Sequence, residues 1–294
     1  MSSQALVTPQ PRARVSVWGA GLRKALRQPG AVVGGGILVV EVLLAIFAPL
    51  VAQHDPLHTY ANFVQAAPSR QFPFGTDQLG RDVFARVVYG TRISLEIAII
   101  CVVIALSCGS FLGLVAGFVG GAVDSVIMRV MDVLLAFPDI LLAIAIVAIL
   151  GPSLNNTIVA IGIAVIPVYA RTVRSAVLSV RQADYVKAAR VAGVSGPRIV
   201  LRHVLPNVAA PIIVISTVNS GVTILAAAGL SYLGLGAQPP TAEWGSMLST
   251  ALDYMPTGWW MAVFPGLAIT LTVLAFNLLG DALRDLLDPR FLVD

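Results

Sequence analysis

Apolar residues recur in runs of about 20, and each run is long enough to cross a hydrocarbon layer of about 30 Å as a helix. The runs predict six transmembrane helices: Ala31 to Ala52, Ile93 to Phe118, Val126 to Leu150, Thr157 to Ala170, Asn207 to Leu235 and Thr257 to Leu279. Pro138 lies inside the third run, where its missing N–H predicts a bend. The expected fold is an all-α integral membrane protein. Glycines such as Gly109, Gly113, Gly117, Gly120 and Gly121 suit close helix packing, with a transport hinge as the alternative.

Charge placement tests that reading independently. The tail from Met1 to Pro29 carries Arg12, Arg14, Arg23, Lys24 and Arg27 and no acid, which places it in the cytoplasm. The connection after the fourth run holds Arg171, Arg174, Arg181, Lys187, Arg190, Arg198 and Arg202 against the single acid Asp184, and is expected on the same side. The alternate connections lack this excess: residues 53–90 balance three arginines with three aspartates, residues 151–156 hold no charge, and residues 237–256 hold only Glu243 and Asp253. Both termini are therefore expected inside. The division is a basic tail (1–29), a first span (30–52), an outer loop with an amphipathic helix (53–92), a core (93–282) with a cytoplasmic loop (171–206), and a C-terminal tail (283–294).

Composition agrees: 57% of the 294 residues are hydrophobic and 12% charged, with mean hydropathy +0.87, against about 25% charged in soluble domains. The net charge of +4 belongs to the connections and the tail, so it does not indicate nucleic acid binding. Cys101 and Cys108 lie seven residues apart in one run, about 10.5 Å along a helix, too far to bridge, and read as small core residues. The first apolar run begins at Ala31 and is long enough to remain as a span, unlike a cleavable signal.

The cytoplasmic stretch from Asp184 to Asn207 predicts two short helices around a bend. Tyr185, Ala188, Ala189 and Ala192 fall on one face of the first; Gly193 can end it, Pro197 suits the start of the second, and Pro206 is expected to stop the second before the fifth span. Such a small-residue knob fits a groove on a partner protein. In the outer loop, Gly75 to Gly80 predicts a turn with Thr76 or Asp77 as helix cap. An amphipathic helix then begins near Asp82, with Val83, Phe84, Val87 and Val88 as its apolar stripe and Asp82 and Arg86 spaced for an i,i+4 ion pair. It either braces the outer end of the bundle or contacts substrate or a binding protein.

Three acids lie at membrane depth: Glu41 in the first run, Asp132 and Asp139 in the third. Intramembrane acids invite a functional reading. Asp139 follows Pro138, where freed backbone groups need partners, which favours a structural role over pathway lining; for Glu41 and Asp132 both roles stay open. Arg129 and Asp132, three apart, are placed to pair. His54 and His58 straddle Pro56 and read as solvated rather than as metal ligands. The only lysines, Lys24 and Lys187, do not follow glycine, so the chain has no P-loop. No His-Glu-x-x-His motif occurs.

Ala188, Ala189, Gly193, Leu205 and Pro206 stand in the order and spacing of the coupling loop of ABC importer permeases, which this segment resembles; Lys187 replaces the motif's glutamate and His203 its isoleucine. The segment "FGTDQLGRDVFARVVYGTRISL" from Phe74, including Gly80 and Arg81, is similar to the region before the second span in permeases of dipeptide, oligopeptide and nickel importers. "EWGSML" from Glu243 and the stretch from Met261 to Arg290 resemble the same family, so the likeness covers about Arg23 to Arg290. It implies the type I permease fold and a non-catalytic subunit importing di- or oligopeptides or nickel chelates. It also implies as partners a second homologous permease, two ATP-binding-cassette ATPases that hold ATP and Mg, an extracytoplasmic binding protein and the lipid of a bacterial inner membrane. No cofactor is expected on this chain. The rival from another class is a self-sufficient secondary transporter or channel, which would favour an aligned series of intramembrane acids; a membrane enzyme is more distant, for want of a nucleophile–base pair.

Overall fold

The computed structural model describes residues 28–287, which form helices and loops with one isolated β-bridge between Thr76 and Asp82. Helix α1 is Pro29–Ile46, continued after Phe47 by the short α2, Ala48–Val51. An outer loop with one 3-10 turn, Ala61–Phe63, leads to α3, Val83–Val119. Then come α4 (Gly121–Leu135), α5 (Asp139–Leu150) and α6 (Leu154–Arg181). Two short helices, α7 (Asp184–Val191) and α8 (Gly196–Ile199), precede α9 (Leu205–Tyr232). Helix α10 (Trp244–Ala251) and α11 (Trp260–Leu287) complete the described chain.

The pairing of α3 with α6 organises the bundle. Cys101 Sγ donates to the carbonyl of Ile158 at 3.4 Å, Gly109 abuts Ile166 and Tyr169, and Gly117 abuts Val177. Contacts advance together along both helices, so the two run in the same direction. Two parallel neighbours in one chain require the segment between them to return across the layer. That return is α4 and α5, which meet at 89° and count as a broken third span beside five continuous ones. A bend was expected at Pro138. The chain instead leaves the helix at residues 136–138 and restarts at Asp139 with Pro138 at the N-cap, a place where proline's missing N–H has no helical partner to lose.

Glycine makes the α3–α6 contact close. A Cβ on Gly109 would lie 2.5 Å from Tyr169 Cβ, and one on Gly117 would lie 2.9 Å from Val177 Cβ. With no hydrophobic drive between helices in lipid, this tight van der Waals packing is the main source of their association. The core around the contact comprises Ile97, Cys101, Ala105, Val147, Ile161 and Leu230, all buried. On the other side, α1 packs on α11, with Gly34 against the backbone of Ala275 and Leu279 and the Cβ of Leu278.

Several expected boundaries move. The amphipathic helix and the second span are one helix of 37 residues, about 55 Å long, so its first turns rise beyond the hydrocarbon. The fourth span runs to Arg181, which places Arg171, Arg174 and Arg181 on helix rather than in a loop. Pro206 does not stop a helix: it sits in the first turn of α9, and a π turn over Val200–Val204, with Leu205 N–H reaching Val200 O, joins α8 to α9. The last span continues to Leu287, through the start of the expected tail. Cys101 is buried as expected, but Cys108 is exposed. The basic tail lies outside the described residues except for its last two positions.

Gly109→Leu is expected to destabilise the protein by about 1–3 kcal/mol through overpacking, with a correspondingly lower Tm, and Gly109→Ala by less. Thermal unfolding of the purified protein checks this.

Candidate functional site

The arginine-rich end of the bundle carries a helical knob. Schellman bonds close α7: Gly193 takes φ +78°, its N–H reaches Arg190 O at 3.0 Å, and Val194 N–H reaches Ala189 O at 3.1 Å. Pro197 begins α8. Val186, Ile199 and Val204 are fully buried against Val173 and Val177 of α6 and Val208 of α9, which fixes the knob rigidly to two spanning helices. Ala189 turns half inward towards this cluster and leaves the expected face. Its place on the surface is taken by Val191, 90% exposed, which with Ala188, Ala192, Gly193 and the 48% exposed Tyr185 forms a small apolar surface. Lys187 pairs with Asp184 at 3.0 Å, both exposed. His203 lies 6.3 Å from Tyr185, ring to ring, and accepts from Asn207 Nδ2 through its carbonyl. Leu205 and Pro206 are exposed at the base of α9.

Three arginines of α6 tie this end together. Arg174 forms a two-point pair with Asp124 of α4 at 2.5 and 2.6 Å, Arg171 pairs with Asp132, and Arg181 donates to Gly117 O at 3.2 Å. Asp132 therefore pairs with Arg171 and not with Arg129.

The opposite end is a locked loop. Asp77 accepts from the backbone N–H groups of Leu79 and Arg81 and holds Arg81 Nε at 2.6 Å. Gly80, at φ +76°, makes the turn. Thr76 accepts from Ala66 N–H and donates to Phe63 O, and Gly75 passes beneath Trp260. Neither Thr76 nor Asp77 caps the helix; Asp82 does, accepting from Phe84 N–H at 2.9 Å. Asp82 also does not pair with Arg86. It takes His54 Nδ1 at 2.7 Å, while Arg86 faces Asp77 at 3.7 Å and donates to the carbonyls of Pro56, Pro240 and Thr241. The i,i+4 pair fails because two nearer partners converge from other loops. His54 is thus packed, against Tyr60 and Phe72, whereas His58 is exposed. Among the described residues no three metal-ligating side chains cluster.

Residues 109–293 match the family described as the binding-protein-dependent transport system inner membrane component, and residues 16–68 match the N-terminal transmembrane domain of oligopeptide transport permease C. The dipeptide transport system permease protein DppC of Alkalihalophilus pseudofirmus is 45% identical, over 97% of this chain and 96% of its own. The di/tripeptide transport system permease protein DppC of Pseudomonas aeruginosa is 48% identical over 89% and 88%, and the glutathione transport system permease protein GsiD of Escherichia coli is 47% identical over 93% and 90%. The chain belongs to the binding-protein-dependent permeases. It is a multi-pass inner membrane permease with the type I fold of ABC importers.

Within this permease the intramembrane acids separate. Glu41 is 8% exposed between α1 and α11 and accepts from Thr272 Oγ1 at 2.7 Å, with its second oxygen unpartnered among the described residues. It borders an apolar cavity of about 700 Å³ beneath Phe84, Trp244 and Leu271. Asp139, exposed at the first position of α5 just after Pro138, makes no side-chain hydrogen bond among the described residues, and its charge suits the helix N-terminus. These acids form no aligned series.

Sequence reasoning passed over Glu243. It is 1% exposed and caps α10, each carboxylate oxygen accepting one backbone N–H, from Gly245 and Ser246, at 2.9 Å; burial nevertheless pushes its carboxyl up. Trp244 beside it donates to Val87 O at 3.0 Å, pinning α10 to α3. An acid immediately before Trp-Gly-Ser was the available signal. Glu243→Ala is expected to cost about 0.5–2 kcal/mol as a lost cap, read as a lower Tm with the helical content unchanged.

Proposed function

We propose that this permease imports peptides, forming half of a translocation pathway with a second, homologous permease. Two ATP-binding-cassette ATPases, which carry ATP and Mg, drive it by gripping the knob of Asp184 to Asn207, and an extracytoplasmic binding protein delivers the cargo. The relatives named for dipeptides, tripeptides and glutathione support the cargo class. The observation that carries the coupling role is the knob itself. A rigid projection whose tip is apolar and 90% exposed at Val191 is a docking element without its groove.

Orientation follows from charge. The knob end holds the run of arginines and lysine, so it faces the cytosol, both termini lie inside, and the Asp77 loop faces outward. Nucleotide then acts only by differential binding: closed ATPases favour one arrangement of the bundle, transmitted through α7 to α6 and α9. The cluster of Val173, Val177, Val186, Ile199 and Val204 is the mechanical joint in that chain.

Val191→Asp alters a side chain that is 90% exposed, so insertion and Tm are expected to hold. Substrate-stimulated ATP hydrolysis and peptide uptake by the reconstituted complex are expected to fall at least about tenfold, equivalent to about 1.4 kcal/mol of lost docking. Gly193→Glu is expected to do the same, with added strain from its positive φ. Full stimulated hydrolysis in Val191→Asp complexes would exclude the coupling role.

A further inference from the structure

At the outward end, Arg81 and Arg86 border a pocket of about 180 Å³ completed by the end of α9, the loop after it and α10. The remaining lining is hydroxyl, amide and small residues, including Ser231, Gln238, Thr241 and Ser249, and contains no carboxylate. Arg81 and Arg86 are 7% and 5% exposed. The one acid in contact with both is Asp77, which holds Arg81 Nε at 2.6 Å and Arg86 Nε at 3.7 Å from below. Asp82 is engaged with His54. Arg86 spends its terminal nitrogens on backbone carbonyls, but those of Arg81 take no hydrogen-bond acceptor among the described residues.

Asp77 meets only the Nε of each guanidinium, so the terminal nitrogens of Arg81 are left as unused donors at the pocket. A guanidinium presents paired N–H donors whose geometry matches a carboxylate. We propose that this pocket is a carboxylate subsite at the outer mouth of the permease, with the free nitrogens of Arg81 as its charged donors and the hydroxyls of Ser249 and Thr241 as flanking donors. Its volume is below the 300–1,000 Å³ of small-molecule sites, so it takes a carboxylate group and the carbons next to it, the rest of the ligand staying outside. Two sources offer that chemistry: the C-terminus of a transported peptide, in which case the subsite rests on the peptide reading above, or an acidic side chain of the delivering protein.

The test is thermal unfolding of the assembled complex in detergent, with sodium acetate compared with sodium chloride at equal ionic strength. Selective binding to the folded state raises Tm, here by about 2–4 °C for the wild type, with no rise for Arg81→Gln. Because Arg81→Gln also loses its pair with Asp77, Ser249→Ala, which leaves that pair intact, serves as the second variant and is expected to reduce the rise by about half. Ala-Ala raising Tm while its C-terminal amide does not assigns the carboxylate to the cargo. Acetate-sensitive binding of the peptide-free binding protein, weakened by Arg81→Gln, assigns it to that protein. No difference between acetate and chloride, or an equal rise in wild type and both variants, overturns the subsite. Neither result depends on peptide uptake, so loss of the subsite would leave the import reading standing, and failed peptide uptake with an intact acetate effect would remove the import reading alone.

Discussion

The close approach of α3 and α6 is the constraint from which the remaining layout follows. Their glycine-lined contact brings backbone near backbone over Gly109 to Gly117, and it holds two helices in the same direction. Parallel neighbours need a return path between them, so the intervening chain crosses as the broken pair α4 and α5. The break leaves α4 lying across the arginine-rich end, where Asp124 and Asp132 meet Arg174 and Arg171. That end is thereby cross-tied between α4 and α6, the helix on which the knob is anchored.

The two ends of the bundle are built on opposite principles. At the arginine-rich end, the knob is anchored by a small aliphatic cluster and leaves an apolar tip uncovered. At the other end, charges are buried and cross-tied: Asp77, Arg81, Asp82, Arg86 and His54 form a network, and two tryptophans, Trp244 and Trp260, donate to backbone carbonyls of α3 and its loop. Partial desolvation makes such pairs sensitive to losing a partner. One end offers a hydrophobic grip and the other a charged, rigid rim, as expected of a membrane machine driven from one side and loaded from the other.

The spans were legible because hydrocarbon thickness sets a length that any helix must meet, and runs such as Ile93 to Phe118 meet it in the sequence itself. The third span was harder. Pro138 announced a disturbance, but whether it bends a helix or breaks it depends on α6 lying alongside, which no local pattern records. Pro206 misled for a related reason: a π turn absorbed the missing donor, so a residue that reads as a stop sits inside a continuous run of helix. Val191 reached the knob surface in place of Ala189 because Val186 and Ala189 share the buried side, a choice made by Val173 and Val177 some ten residues or more upstream. The ion pairs of the outer loop were the least legible. Asp82 and Arg86 had correct helical spacing, yet their partners arrive from His54, Asp77 and the carbonyls near Pro240, and proximity in space overrode proximity in sequence. Glu243 stayed hidden for the same reason, since its burial is created by helices on either side.

Coupling to an ATPase requires the knob to lie on the cytosolic side of the membrane. A single cysteine placed by Ala188→Cys, in a background carrying Cys108→Ser, can be challenged with a membrane-impermeant maleimide in intact spheroplasts and in inverted vesicles. Labelling only in inverted vesicles, with the outer-loop substitution Gln71→Cys labelled only in spheroplasts, is the predicted result. Labelling of Ala188→Cys in spheroplasts would place the knob outside, beyond the reach of any ATP-driven partner, and contradict the account.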